Sequence, residues 1–222
     1  MSDRVSGGGT IRFGALLRVV ATVAALGLWF WTQSLIGRRA PSAGIGDVLQ
    51  NLFAGLNFYF GQHATAANAL LIVSSAFIDL LGLFLVAEWV FLGRSRGFLG
   101  LVQLLALRQV MQALCALPPP PNMIWRYPGF PSLFVTYNVG NDFFFSGHTA
   151  IAVFGAIELA RLRHRWLTVL AFAVVIFEIA TVLILRAHYT MDVFTGAVTA
   201  LWVAAFCDSV GPRLDRMIAG VK

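Results

Sequence analysis

The sequence predicts an all-α integral membrane protein, a six-transmembrane-helix bundle with both termini in the cytoplasm and a short interfacial helix near 47–60. Hydrophobic residues make up 59% of the chain and charged residues only 12%, whereas about a quarter of the residues of a soluble protein are charged. Six stretches reach or approach the about 20 apolar residues that a spanning helix needs. They lack the period-2 alternation of membrane strands, so helices are predicted.

The six predicted spans are 13–35, 66–92, 97–116, 144–161, 166–186 and 189–209. The first is too long for the core of a signal peptide and is kept as a helix. The fourth is the shortest. The apolar stretch 52–60 is too short to cross a bilayer, which favours an interfacial or re-entrant helix. We expect 1–222 to form a single six-helix membrane domain.

The orientation follows from the basic residues that flank the spans. Ten lie on one predicted side and four on the other, and this bias places both termini in the cytoplasm. The larger group is Arg4, Arg12, Arg94, Arg96, Arg161, Arg163, Arg165, Arg213, Arg216 and Lys222, and the smaller is Arg38, Arg39, Arg126 and Arg186. The loops before the second, fourth and sixth spans then face the periplasm or an organelle lumen.

One long outer loop covers residues 118 to about 143 and begins "PPPPNMIWRYPGFP". Each proline disfavours helix at itself and at the residue before it, so the segment should be extended. Loops of this length in compact proteins are usually functional or disordered, and this one is rich in aromatic residues. It leads directly into the first of two histidine motifs.

The second motif, "HYTMD", opens the sixth span and contains His188 and Asp192. The i, i+4 spacing places both side chains on one helix face. The carboxylate can then orient the imidazole and leave its other nitrogen as a nucleophile or base. An interfacial histidine with an incidental acid is the structural alternative.

The first motif, "SGHT", opens the fourth span. Ser146 can cap the helix, Gly147 allows close backbone approach, and the first-turn N–H groups favour an anion. His148 could give a proton to a leaving oxygen. The triplet alone is common, but both histidines start helices on the same predicted membrane face, with Asp142 and Asp192 nearby.

Together, "FFFSGHTA" and "HYTMDV" resemble the signature motifs of the lipid phosphatase/phosphotransferase superfamily. They are most similar to its sphingomyelin-synthase branch, which includes the plant phosphatidylcholine:diacylglycerol cholinephosphotransferases. The likeness covers roughly residues 100–210, so the catalytic half is placed at about 97–210. It implies that His188 attacks phosphorus, that Asp192 orients it, and that His148 exchanges protons with the leaving and entering alcohols.

The resemblance marks further residues as substrate contacts: Asp142, Ser146, Gly147, Thr149 and Tyr189. Positive charge could come from Arg186 and from Arg108, which lies deep in the third span and should have a partner, with Asp79 and Glu178 as candidates. Trp125 and Tyr127, with Tyr137, could form a cation–π cage for a quaternary ammonium, although interfacial aromatics are also common without a catalytic role.

The chain departs from the related phosphatidic-acid-type phosphatases. Those enzymes grip a phosphomonoester with Lys-x6-Arg-Pro and Ser-Arg-x5-His elements. Here the single lysine is Lys222, no Arg-Pro dipeptide occurs, and Thr181 and Val182 occupy the Ser-Arg positions before His188. A phosphodiester carries one charge and needs fewer cationic donors. The departure favours a diester substrate.

The sequence therefore predicts a phosphotransferase that moves a phospho-alcohol, such as phosphocholine, from a phospholipid donor to diacylglycerol or ceramide through a phospho-histidine. A lipid phosphate phosphatase is the alternative, and a small transporter or non-catalytic membrane scaffold is a remote one. We see no metal-type Cys/His spacing and no nucleotide-binding glycine motif, so neither a cofactor nor a metal is expected. The net charge of +6 is spread over membrane flanks and does not indicate nucleic acid.

Overall fold

A computed structural model describes residues 44–115, 117–137 and 144–219, together with positions 20, 22–24, 27–28, 30–31 and 34. The chain divides into two units, residues 1–46 and 47–222. In the first unit the scattered positions between 20 and 34 are helical. The rest of the first predicted span, 13–35, lies outside the described residues.

All regular secondary structure in the described part of the second unit is helical. The helices are α1 (Val48–Leu52), α2 (Ala54–Gln62), α3 (Ala64–Leu92), α4 (Ser95–Leu114), α5 (Gly147–Arg161), α6 (Arg165–Ile184) and α7 (Thr190–Ala219). The last five begin and end close to the predicted second to sixth spans, except that α7 extends well beyond 209. The all-α prediction is confirmed for the described residues.

Four helices among the described residues are long and apolar enough to cross a membrane: α3, α4, α6 and the Thr190–Met217 part of α7. The chain is therefore an integral membrane protein. Helix α5 has 15 residues, which corresponds to about 22 Å of helix against a hydrocarbon core of about 30 Å. The predicted fourth span, 144–161, is thus a helix, but it is shorter than a typical span.

Helix α5 packs against α3, α4, α6 and α7 and forms the centre of the bundle. Its side chains Ile151 and Phe154 are buried in the main hydrophobic cluster. Leu81 of α3, Leu104 of α4 and Val203 of α7 complete the same cluster from three sides. Because protein surrounds α5, its start is held rigidly against the neighbouring helices.

The long loop after α4 is held against α3 by a carboxylate. The side chain of Asp79 accepts hydrogen bonds from Ser132 Oγ (2.9 Å), Leu133 N (3.0 Å) and Phe134 N (2.9 Å). The sequence suggested Asp79 as a partner of Arg108, but these three donors occupy its oxygens. The other candidate, Glu178, accepts from Ser74 Oγ at 2.6 Å.

The predicted interfacial segment consists of two helices, because the chain breaks at Phe53 between α1 and α2. Its apolar side chains point outward, with Leu52 73% and Phe58 69% exposed, whereas Gln50 and Asn57 are buried. This arrangement reverses that of a soluble surface helix and fits a segment that lies against lipid. The two buried amides face the protein.

An ion-pair cluster ties three helices together at the opposite end of the bundle. Arg96 Nε of α4 lies 2.8 Å from Glu158 Oε1 of α5, and Arg161 Nη2 lies 2.7 Å from Asp208 Oδ1 of α7. Arg96 also pairs with Asp208. Because Glu158 is only 4% exposed, removal of Arg96 would leave a buried charge short of a partner.

Candidate active site

The starts of α5 and α7 lie in contact, which brings the two motifs together. The backbone N–H of Ser146 donates to the carbonyl oxygen of Asp192 at 3.1 Å. Gly196, one turn further along α7, lies so close to Ser146 that an added Cβ would be 2.5 Å from its carbonyl oxygen. A glycine is required at 196 for this approach, and the approach sets the distance between the two histidine-bearing segments.

His148 and His188 line one cavity. The cavity lies between the start of α5, the turn before α7, the end of α4 and the outer loop. Its lining consists of Ile78, Leu105, Arg108, Trp125, Phe134, Thr136, Gly147, His148, Ile151, Ala187 and His188. Two histidines and an arginine thus share one enclosure with otherwise mostly apolar walls.

Asp192 is fully buried beside His188. Its Oδ2 accepts the backbone N–H of Tyr189 at 2.9 Å and lies 3.8 Å from His188 Nδ1. The sequence suggested a hydrogen bond between this carboxylate and the imidazole, but 3.8 Å is too long for one. The carboxylate instead fixes the turn before α7 and remains within ion-pair distance of the ring. Its Oδ1 has no hydrogen-bond partner among the described residues.

His148 is 8% exposed and contacts the ring of Trp125 edge-to-face, with ring centroids 5.0 Å apart at 85°. Its Nε2 is buried and makes no hydrogen bond with any residue that the structure describes. Buried polar atoms in native proteins nearly always have a partner, so such an atom in a cavity indicates a place for a ligand. The contact with Trp125 fixes the plane of the imidazole.

Arg108 reaches the start of α5 because residue 147 is a glycine. A Cβ on Gly147 would lie 3.1 Å from Arg108 Nε and 3.2 Å from its Cδ. The guanidinium therefore lies beside the first-turn N–H groups of α5. A helix N-terminus and a cation together favour an anion such as a phosphate.

Ser146 caps α5, as the sequence predicts. Its Oγ accepts the backbone N–H of Thr149 at 3.3 Å and the Thr149 hydroxyl at 3.0 Å. Both side chains are fully buried and lie outside the cavity lining. Their contacts hold the start of the helix that carries His148.

The remaining predicted substrate contacts differ in their positions. Arg186 lies outside the cavity lining, and its guanidinium donates to the carbonyl oxygens of Pro121 (2.9 Å) and Gln50 (3.3 Å). Tyr189 is buried and Tyr127 is 52% exposed, and neither lines the cavity. Asp142 lies outside the described residues.

The aromatic residues of the outer loop are brought together. The ring of Tyr137 lies 5.2 Å from that of Trp125 and 6.3 Å from that of Tyr127. Trp125 Nε1 donates to the Thr136 carbonyl oxygen at 3.0 Å, and the Tyr137 hydroxyl bonds the hydroxyl of Ser75. Burial, together with the nearby Asp79 and Glu178, raises the pKa of Tyr137, so its hydroxyl stays neutral.

Sequence reasoning missed two residues that hold the His188 turn. Asp47 Oδ2 accepts Thr190 N at 2.6 Å, and Gln50 Nε2 donates to the His188 carbonyl oxygen at 3.1 Å. Burial opposes ionisation of Asp47, but hydrogen bonds from Thr190, Gln50 and Leu49 outweigh it and lower the pKa of the carboxyl. Polar residues within the mostly apolar segment 47–60 were the available signal, since a buried amide such as Gln50 should turn inward to find a partner.

A second, apolar groove lies beside the cavity. It is lined by Leu107, Met111, Phe145, Thr195, Val198, Thr199 and Trp202. Leu107 precedes the cavity residue Arg108, and Phe145 lies two residues before the cavity residue Gly147. The groove and the cavity are therefore separated by the end of α4 and the start of α5.

No group of three or more His, Cys, Asp or Glu side chains within the described residues is arranged to hold a metal ion. The chemistry available to the cavity from those residues is that of imidazole, carboxylate and guanidinium groups. This set suits nucleophilic and acid–base steps at phosphorus.

Known proteins are similar to this chain in sequence and in structure. A relative is phosphatidylcholine:diacylglycerol cholinephosphotransferase 1 of Arabidopsis thaliana, 22% identical over 189 residues that cover 85% of this chain and 59% of that protein. The chain thus spans less than two thirds of that relative's length. The crystal structure of Aquifex aeolicus LpxE superimposes with a TM-score of 0.47 at 15% identity, covering 78% of this chain and 89% of that one.

The family whose model is described as AtPDCT1/2 matches residues 47–209, which contain both histidine motifs, the outer loop, and helices α1 to α6 with most of α7. This match covers well over half of the chain and confirms the resemblance. The chain belongs to the AtPDCT1/2 family.

Proposed function

We propose that the protein is a lipid headgroup transferase that moves phosphocholine, or a similar phospho-alcohol, from a phospholipid to diacylglycerol through a phospho-histidine at His188. The observation that carries this proposal is the single cavity in which His148, His188 and Arg108 meet. The Arabidopsis relative's name describes transfer from phosphatidylcholine to diacylglycerol, which supports these substrates here.

In the first half-reaction, a ring nitrogen of His188 attacks the phosphorus of the donor phosphodiester. Asp192 Oδ2 faces Nδ1 at 3.8 Å, so Nε2 is the attacking atom. The bond between phosphorus and the diacylglycerol oxygen breaks, and His148 gives its proton to that oxygen. The product diacylglycerol leaves, and the phospho-alcohol remains bound to His188 through a P–N bond. Arg108 and the start of α5 stabilise the charge on the phosphoryl oxygens.

In the second half-reaction, the hydroxyl of an acceptor diacylglycerol attacks the same phosphorus. The now neutral His148 takes the hydroxyl proton, the P–N bond breaks, and His188 is regenerated. One site thus serves donor and acceptor in turn, so the kinetics should be ping-pong. Asp192 favours the cationic ring of the phospho-histidine, in which Nδ1 keeps its proton while Nε2 is bonded to phosphorus.

The charge of the cavity favours a diester over a monoester. Among the described residues that line the cavity, Arg108 is the one Arg or Lys side chain. The Lys-x6-Arg-Pro and Ser-Arg-x5-His elements of the phosphomonoesterases are missing from the sequence. Thr181 and Val182 occupy the Ser-Arg positions before His188. A monoester dianion would need more cationic donors than this cavity provides. This argues for transfer rather than hydrolysis.

The surroundings of the cavity suit a lipid with a quaternary ammonium headgroup. Trp125 lines the cavity, and Tyr127 and Tyr137 stand next to it; such faces attract organic cations by cation–π interaction. The apolar groove along Met111, Val198 and Trp202 offers a path for an acyl chain while phosphorus reaches the histidines. We infer that donor and acceptor enter from the bilayer.

We further infer six spans in one membrane domain, with both termini in the cytoplasm and the cavity on the periplasmic or lumenal side. The excess of basic residues at the ends of the helices away from the cavity supports this orientation. Cysteine accessibility from either side of sealed vesicles would test it.

The function is tested with purified protein and phosphatidylcholine labelled in the headgroup, offered with diacylglycerol or with ceramide. We expect label on diacylglycerol, and we expect His188→Ala and His148→Ala to abolish transfer while the protein remains folded. The exposed His164→Ala is the matched control and should be as active as wild type. Label released only into water would identify a hydrolase, and full transfer by either cavity variant would remove that histidine from the reaction.

A further inference from the structure

The carboxylate of Asp47 binds the starts of two helices at once. Its Oδ1 accepts the N–H groups of Leu49 and Gln50, each at 3.1 Å, and thereby caps α1. The same oxygen accepts the Thr190 hydroxyl at 2.7 Å, and Oδ2 accepts Thr190 N at 2.6 Å. Thr190 is the first residue of α7 and lies two residues after His188.

A second contact from α1 holds the other side of the same turn. Gln50 Nε2 donates to the His188 carbonyl oxygen at 3.1 Å, in a buried hydrogen bond. The backbone is therefore bound at residue 188 and at residue 190, on both sides of Tyr189. These contacts come from a short helix more than a hundred residues earlier in the sequence.

The turn that is held in this way has little regular structure of its own. Residues 185–189 lie between α6 and α7, and Arg186 has a φ of 53°, in the left-handed region that non-glycine residues rarely adopt. An ordinary helix would fix its backbone through its own hydrogen bonds. Here the turn has a few such bonds, from Ala187 N to the Val182 carbonyl oxygen and from Tyr189 N to Asp192 Oδ2, each 2.9 Å. Asp47 adds charge-assisted bonds at residue 190, which are the stronger kind.

We propose that Asp47 is a positioning residue that sets the place of the His188 imidazole in the cavity through Thr190. This inference rests on the proposed role of His188 in the reaction. Asp47 does not line the cavity, so it acts on the turn and not on the substrate. Since a misplacement of about 1 Å can cost about 100-fold in rate, loosening this contact should lower kcat with little effect on the KM of the donor.

The test compares two substitutions of Thr190. Thr190→Val keeps the shape and loses the hydroxyl that donates to Asp47, whereas Thr190→Ser keeps the hydroxyl. We expect kcat to fall roughly 10-fold in Thr190→Val, to fall at least as far in Asp47→Asn, and to stay within about 2-fold of wild type in Thr190→Ser. Thr168→Val, at the start of α6, removes a hydroxyl that donates to a backbone carbonyl and should leave kcat unchanged.

A double-mutant cycle identifies the contact itself. If Asp47 and Thr190 act through their hydrogen bond, the Asp47→Asn/Thr190→Val double variant should be no slower than Asp47→Asn alone. Multiplicative losses would mean that the two residues act independently and would overturn the proposal. A loss of folded protein in parallel with activity, with Thr190→Ser no better than Thr190→Val, would also overturn it.

A spectroscopic readout separates this inference from the proposed function. In ¹⁵N-histidine-labelled protein, the ring signals of His188, assigned with His188→Ala, should shift in Asp47→Asn, while those of the exposed His63 and His164 stay in place. Unshifted His188 signals would overturn the positioning role. If the His188 signals shift but His188→Ala still transfers the headgroup, the proposed function fails and the positioning contact stands.

Discussion

Gly196→Ala should separate the two histidines without touching either. Gly196 lies on α7 one turn after Asp192, and an added Cβ would lie 2.5 Å from the carbonyl oxygen of Ser146 and 3.5 Å from Ala150 N. Both atoms are backbone and cannot rotate away. To restore an ordinary contact of 3.4 Å, the start of α7 must retreat from the start of α5 by about 0.9 Å.

This displacement lies directly between the two segments that carry His148 and His188. A shift approaching 1 Å at reacting groups costs up to about 100-fold, so we expect a fall in kcat of about 10- to 100-fold. Overpacking should also lower the free energy of unfolding by about 1–3 kcal/mol. The assay is headgroup-label transfer at saturating donor, with thermal unfolding of the same samples.

Gly211→Ala is the matched control on the same helix. There the added Cβ would lie 3.3 Å from Arg96 Cβ, at the opposite end of α7. We expect at most a small change in stability and wild-type transfer. If Gly196→Ala transfers at the wild-type rate with an unchanged melting temperature, then the close approach of α7 to Ser146 does not set the catalytic geometry, and this reasoning is wrong.

Three other substitutions test the cap of α5, the apolar groove and the Asp47 carboxylate. Ser146→Ala removes the cap of α5 and should cost about 1 kcal/mol of stability in thermal or denaturant unfolding; an unchanged midpoint would show that the hydroxyl is not needed. Thr199→Trp fills the apolar groove and should slow transfer from long-chain phosphatidylcholine much more than from a short-chain analogue, while Thr168→Trp, at the exposed edge of a groove between α5 and α6, affects neither; equal effects on both chain lengths would exclude the acyl-chain path. Because the folded-state pKa of Asp47 lies below the ordinary 3.8, its contribution to stability is fully present above that pH and is lost as the pH falls through the lowered value. The difference in melting temperature between wild type and Asp47→Asn should therefore be constant near neutrality and shrink in acid, and a difference that grows in acid would contradict the assignment.

The sequence predicted the described helices well, because they depend on local patterns, and the meeting of the two motifs was expected from the shared membrane face of their helices and from the family resemblance. Long apolar runs determine spans through the thickness of the bilayer, and the cap at Ser146 is a signal contained within four residues. The i, i+4 spacing of His188 and Asp192 correctly placed them side by side. These features need no knowledge of distant parts of the chain.

Some contacts that the sequence did not predict join distant parts of the chain. Others depend on which of two donors binds the same acceptor atom. Asp192 was expected to form a hydrogen bond with the His188 ring. Its Oδ2 instead accepts the Tyr189 N–H at 2.9 Å and lies 3.8 Å from His188 Nδ1. Arg186 was named as a possible source of positive charge, and the sequence did not predict that its guanidinium donates to the carbonyl oxygens of Pro121 and Gln50. Asp47 is 143 residues from Thr190, and nothing in a local pattern connects them. Such pairings depend on tertiary packing alone.

In the proposed reaction, His188 carries the phospho-alcohol between two lipids. The most direct measurement is to mix the protein with headgroup-labelled phosphatidylcholine in the absence of acceptor and to quench rapidly. We expect covalent label on His188, labile in acid and stable in alkali as a P–N bond requires, that is discharged when diacylglycerol is added. Sustained transfer with sequential kinetics and no label on His188 would contradict it.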